Sequence, residues 1–372
     1  MPSPITHRLS ERLVEHGLDA LVCISPENVA YAAGFVVPSQ TLMRWRHAVY
    51  VVTADGREAM ICVDMEELTI RTMRPELELR AWAEFGGNAM ETLAALLRDL
   101  GLDSARVGSE LRYLSVKDHA ELTAALPDLK LTAADDLLSS ARTLKTEREI
   151  DLLTRLSRIS DQAIKSAFES VRAGDTEMDM AAALTRSVFE QGAQNFKLLI
   201  VATGERSQMP NVGPSDRVLR DGDICRMEIF SVIDGYQAGV CRTAYVGTPP
   251  QVALEIYRNL AECKGLVVDT IKPGVPTREV YRVFREKFDE LGLPPISFVG
   301  HSIGVDLHEA PYLGADDDTV LAEGMVLGIE PLVYRSGHGF GMQIKDMVTV
   351  TADGCRVLSD VTDTDLMLAV PL

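Results

Sequence analysis

Two pairs of long amphipathic segments constrain the fold of this chain more than any other feature. Residues 145–171 and 177–191 form the first pair, and residues 252–271 and 277–291 form the second. In the first segment Ile150, Leu153, Leu156, Ile159 and Ile164 return at helical spacing and draw an apolar stripe. A helix striped in this way must bury that face. Each pair is followed by a stretch rich in β-branched residues and glycine, which supplies a sheet to bury it against. The repeated order of two helices and then strands predicts an internal duplication without sequence identity.

The residues before 144 have a different texture. Residues 5–17 read as an amphipathic helix with Leu9, Leu13 and Val14 on one face and Gly17 as its stop. Residues 19–24 read as a buried strand, and Ser25-Pro26-Glu27-Asn28 as the start of a loop. The apolar runs 47–53 and 58–63 are joined by Ala54-Asp55-Gly56-Arg57, a hairpin signal. A helix over 89–100 with Asn88 as its cap, a strand over 106–109 and a helix over 116–126 complete an α/β alternation with a mixed sheet. At 372 residues the chain exceeds one ordinary core, so two domains are expected, 1–143 and 144–372.

Composition narrows the class. The net charge of −18 argues against nucleic acid, whose phosphates would be repelled. It suits a cationic small substrate, though acidic surfaces are common. No apolar run reaches transmembrane length, and residues 1–20 lack a charged-then-apolar leader, so no membrane association and a cytoplasmic location are expected. The six cysteines are scattered without a paired motif and read as reduced thiols.

Four segments carry candidate chemistry. Gly300-His301-Ser302-Ile303-Gly304-Val305-Asp306-Leu307-His308-Glu309-Ala310-Pro311 holds two histidines seven residues apart. Upstream lie Arg226-Met227-Glu228-Ile229-Phe230 and Gly239-Val240-Cys241-Arg242-Thr243; downstream lie Gly328-Ile329-Glu330-Pro331 and Gly341-Met342-Gln343-Ile344-Lys345-Asp346. Glu228 and Glu330 sit in apolar runs, where a carboxylate needs a cation, a hydrogen-bond partner or a proton.

In order and spacing these segments resemble the pita-bread family of methionine aminopeptidase, Xaa-Pro aminopeptidase, prolidase and creatinase. The resemblance implies an α+β protein. A creatinase-like α/β N-terminal domain would precede a pita-bread domain, a curved antiparallel sheet wrapped by pseudo-duplicated helix pairs. It also implies five metal-ligand positions, normally two Asp, one His and two Glu. Here they fall on Glu228, Gly239, His301, Glu330 and Lys345. Lys345 then points into the metal cavity, where its ammonium takes the place and part of the charge of a cation. Four family carboxylates balance two divalent ions, whereas here two carboxylates face one ammonium, so no metal and no cofactor are expected.

The other roles follow from the same placement. The first histidine is the family's metal ligand, and the second contacts the substrate or the tetrahedral intermediate. Without metal, His301 or His308 serves as base or acid, and which does which stays open. One of Glu228 and Glu330 reads as a proton donor with a raised pKa. Lys345 is assigned to a developing oxyanion. Gly239 opens room for substrate. Cys241 reads as a nucleophile activated by a neighbouring imidazole or lysine or, more commonly, as a small filler. Asn211 stands where the family often has a substrate-contacting histidine, and Glu309 joins the substrate-binding set. Arg44 and Arg46 read either as a basic surface loop or as a carboxylate-binding fork that reaches the partner's site in a homodimer.

The leading functional expectation is a metal-independent hydrolase of a C–N bond in a small zwitterionic or cationic molecule, similar to creatinase or ectoine hydrolase. The alternatives are a metal-dependent Xaa-Pro aminopeptidase or dipeptidase, and a non-catalytic binding module or lyase on the same fold.

Overall fold

The computed structural model describes residues 3–372. They form two compact units, one ending at Arg142 and the other beginning at Thr143.

The first unit is a six-stranded mixed sheet flanked by helices. Its central strand Ala20–Cys23 runs antiparallel to Val49–Thr53 and parallel to Arg106–Ser109. The expected hairpin is present: Val49–Thr53 pairs with Glu58–Val63 across Gly56, whose φ of 84° is a conformation glycine adopts without strain. Asn88 caps its helix, accepting from the backbone N–H groups of Met90 and Glu91. Residues 25–28 are not a loop. Ser25 accepts from the Asn28 N–H and Pro26 opens the helix Pro26–Ala33, which ends at left-handed Gly34. Serine at the cap and proline in the first turn are a helix-start signal.

The second unit repeats one arrangement twice. In the first half the helices Glu147–Ser170 and Glu177–Glu190 cover a four-stranded sheet built on the long hairpin Ile224–Ile233 and Tyr236–Val246. Leu153, Leu156, Met180, Leu184, Met227, Ile229 and Val240 share one core there. In the second half Gln251–Thr270 and Thr277–Glu290 cover a five-stranded sheet centred on Val326–Ile329. Leu260, Phe284, Phe288, Val299, Leu327 and Val348 form its core. The sheets are antiparallel except at one edge, where Leu368–Val370 runs parallel to Tyr236–Val246.

Both helices of the first half begin at a threonine capping box, Thr146 with Glu149 and Thr176 with Asp179. Thr146 starts its helix two residues later than the periodicity predicts and leaves Lys145 outside. The two sheets join through an antiparallel bridge between Cys241 and Lys345. Strand alternation sends Met227 and Ile229 toward the helices and Arg226, Glu228 and Phe230 to the opposite face. The same alternation separates Lys345 from Asp346 at the junction.

Candidate active site

Glu228, His301, His308, Glu330 and Lys345 come together on the face of the sheets that the helices leave uncovered. Lys345 is their centre. Its Nζ lies 3.0 Å from Glu330 Oε2, 3.3 Å from Glu228 Oε1 and 3.4 Å from His301 Nε2. Burial opposes its charge, but the carboxylates of Glu330 and Glu228 outweigh burial and hold the ammonium above its ordinary pKa.

Glu330 answers the same balance. Burial favours its neutral form, yet Lys345 and His301 pull its pKa down to about 2. The expected proton-donor carboxyl is therefore not Glu330, which stands ionised beside a cation. Lys345 is not an oxyanion donor either, because its three N–H groups face three partners within the protein.

His301 is fully buried, and its Nδ1 lies 2.9 Å from the Ser302 carbonyl oxygen. A carbonyl only accepts, so Nδ1 carries the proton. Nε2 is left facing Lys345 and, at 3.1 Å, Glu330 Oε1. His308 stacks on His301 with ring centroids 3.8 Å apart and planes 17° apart, yet it remains exposed. Burial of part of the ring, then the charges of His301 and Lys345, lower its pKa to about 4. It is the uncharged imidazole at the mouth of the cluster.

Two further residues belong to the cluster, and the sequence reading missed both. Arg226 is buried beside Glu228, 4.0 Å from its Oε2, with its guanidinium 4.8 Å above the Tyr334 ring. It donates to Gln343 Oε1 at 3.0 Å, and Gln343 donates in turn to Glu330 Oε2 at 3.1 Å. Its position two residues before Glu228 on one strand was the available signal. Phe230 is the other, with its ring 4.8 Å from Lys345 Nζ. A Cβ placed on Gly239, its cross-strand partner, would lie 2.3 Å from that ring. Phe230, not substrate, fills the room that Gly239 opens.

The expectations for Cys241 and Glu309 are also corrected. Cys241 is fully buried and its thiol is pushed far up, by burial first and by Glu228 second, so it is no nucleophile and no substrate contact. Glu309 is buried too. It accepts from Lys145 Nζ at 3.0 Å and from the Val305 and Asp306 N–H groups at 3.1 and 3.2 Å, so it holds the loop between the histidines. Asn211 is exposed on a loop whose Met209 and Pro210 carbonyls accept from Arg226. Arg44 and Arg46 lie in the first unit. Arg44 donates to the Tyr113 carbonyl at 2.6 Å, and Arg46 pairs with Glu84 at 2.6 Å.

The profile of the Creatinase/Prolidase N-terminal domain matches residues 6–144, and that of Metallopeptidase family M24 matches residues 151–352. This chain belongs to metallopeptidase family M24. The Xaa-Pro dipeptidase of Pyrococcus furiosus is 27% identical over 355 residues, 95% of this chain and 96% of that protein. The Xaa-Pro dipeptidase of Pyrococcus horikoshii is 30% identical over 262 residues, 70% and 74% of the two chains. Among solved structures, the X-Pro aminopeptidase of Thermotoga maritima superposes with a TM-score of 0.85 at 25% identity, covering 98% of this chain and 99% of that one. The Xaa-Pro dipeptidase of Bacillus anthracis does so at 0.84 and 26%, with the same coverage.

These relatives overturn the leading functional expectation. Relatives that match this chain over nearly its whole length are named Xaa-Pro dipeptidase or dipeptidase, not creatinase-like hydrolases of small non-peptide molecules. The chain is thus a hydrolase of a peptidase family. Among the described residues no helix is long and apolar enough to cross a membrane.

The two-cation centre of the family does not fit the residues present. An ammonium occupies the middle of the five positions, and ammonium offers no lone pair. Gly239 offers no ligand, and Phe230 closes its space. Among the described residues no three His, Cys, Asp or Glu side chains are grouped to hold a metal ion.

Proposed function

We propose that this M24 chain hydrolyses the peptide bond of Xaa-Pro dipeptides. The observation that supports it is the match to Xaa-Pro dipeptidases along nearly the whole chain, N-terminal domain included. In this reading His308 meets the substrate as a neutral imidazole. Ionised Glu330 is the acceptor beneath it that takes the proton of the attacking water. Lys345 keeps that carboxylate charged and oriented. Arg226 and the Tyr334 hydroxyl, which donates to Gln343 at 3.2 Å, give the opposite wall its positive character. The chain is also proposed to work as a cytoplasmic homodimer in which Arg44 and Arg46 serve the partner's site.

The test is release of free proline from Xaa-Pro dipeptides of varied first residue, with and without added Mn²⁺. Release lost in His308→Asn supports the reading. No release under either condition, with dipeptides of other classes cleaved or none at all, overturns it.

A further inference from the structure

We infer that Lys345 and Arg226 are built-in replacements for the family's pair of cations, and that this site takes up no divalent metal. The inference stands whether or not the chain cleaves dipeptides, since it concerns occupancy and charge.

Charge is the first argument. The buried carboxylates of Glu228 and Glu330 face two buried side-chain cations, Lys345 at 3.3 and 3.0 Å and Arg226 at 4.0 Å from Glu228. Each of the two carboxylates already faces a side-chain cation and needs no ion from solution. A pair of divalent cations added here would meet too few carboxylates and two like charges, with little water to screen them.

Space is the second. Divalent ions bind carboxylate oxygens at about 2.0–2.6 Å. Lys345 Nζ already holds the point between the carboxylates, so a metal enters only if the ammonium leaves. The fold offers it no exit. Lys345 is 1% exposed, and Phe230 stands over its Nζ. A Cβ built on Gly328 would meet Ile303 at 2.8 Å and Lys345 Cε at 3.3 Å, so glycine at that position leaves the room the lysine stem uses. The space of a lost ligand is closed by Phe230 over Gly239. Lysine, two glycines and a phenylalanine thus fit one another as a set. A metal site that had merely lost ligands would show a gap there.

The experiment uses the full chain purified without chelator, then incubated with excess Mn²⁺, Co²⁺ or Zn²⁺ and desalted. Metal content is read by mass spectrometry and the thermal midpoint is followed during metal titration. The quantity that decides is metal, or metal-induced stabilisation, that disappears in Glu330→Gln. The native chain is expected to show none. About one or two metal ions per chain that depend on Glu330 would overturn the inference. Lys345→Ala gives the second arm. It frees the point between Glu228, Glu330 and His301, and Mn²⁺ is expected to raise its thermal midpoint with increasing concentration. A folded Lys345→Ala chain indifferent to all three metals would show that the ammonium is not what keeps them out, and would also count against the inference. The native arm decides even if that variant fails to fold.

Discussion

Two buried ion clusters lie back to back at the junction of the two sheets, carried by consecutive residues of the chain. Asp346 belongs to one and Lys345 to the other. On the Asp346 side, Arg242 donates through Nε to Asp161 at 2.9 Å and through Nη2 to Asp346 at 2.8 Å. Its Nη1 meets the carbonyls of Cys241 at 3.0 Å and Lys345 at 2.7 Å. Asp161 also accepts from the Val361 and Thr362 N–H groups, and Asp346 from the Ser359 hydroxyl. Every donor of that guanidinium has a partner. On the Lys345 side the charges are equally buried, but Arg226 Nε has no partner, and the cluster opens onto exposed His308 and the loop that carries Asn211. A closed network is scaffold, because it offers nothing to an incoming molecule. An unfinished one is where a substrate finds groups still to be satisfied.

The largest effect should therefore fall on the scaffold side. Arg242→Met leaves Asp161 and Asp346 charged, buried and unpaired, and is expected to cost about 4–5 kcal/mol in urea denaturation. Lys345→Met should cost less, about 3 kcal/mol, because Arg226 and His301 still face the stranded carboxylates. A Lys345→Met chain as damaged as Arg242→Met would erase the distinction between the clusters. The sign of its pH dependence follows from Glu330. With Lys345 present, Glu330 is held at about 2, so its contribution to stability is full above its ordinary 4.5 and is lost as pH falls through about 2. Without the ammonium, burial raises the same carboxyl above its unfolded value, and the variant loses stability as pH rises. The gap between the two proteins should be widest near about pH 7 and narrow toward about pH 4.

The two clusters also differ in how far they could be read from the chain. The helix stripes, the two histidines and the carboxylates at 228 and 330 are local patterns, and the sequence places them correctly. Lys345 was legible because the family resemblance put it in a ligand position. What escaped depends on register between distant segments. Phe230 in an apolar strand looks like any core residue until Gly239 is found opposite. Lys145 stands at the start of the amphipathic segment 145–171 with no local pattern to mark it, yet it is buried against Ser302 and Glu309, more than 150 residues away. Glu309 looked available to substrate for the same reason: no local pattern announces a partner so far off in sequence.

That register can be tested from the site side alone. Gly239→Ala places a methyl 2.3 Å from the Phe230 ring, so the ring must turn away from Lys345. The expected cost is about 1–3 kcal/mol, as for other overpacked cores. Phe230→Leu in the same chain should recover part of it, and the coupling read from the double-mutant cycle measures how tightly ring and glycine are matched. Independent, additive costs would mean that the ring does not occupy the lost ligand's space.

The smallest change in stability should come at His308, where the change in activity should be large. His308 is exposed and rests on His301 by one stacked contact, so His308→Asn is expected to shift stability by less than about 0.5 kcal/mol. If His308 handles a proton or a hydrogen bond of the reacting peptide, kcat should fall roughly 100-fold or more. The pH profile sharpens the point. His308 has its pKa lowered to about 4, by partial burial first and by His301 and Lys345 next. The neutral ring therefore persists well below its ordinary 6.5, and an acid limb due to His308 belongs near about 4. Lys345→Met removes one of the repelling charges and should move the His308 titration, followed by NMR, part of the way back toward 6.5. A titration that ignores Lys345 would mean that the buried ammonium does not reach the exposed ring. The unfinished cluster would then be two separate parts, a buried charge set and a surface histidine.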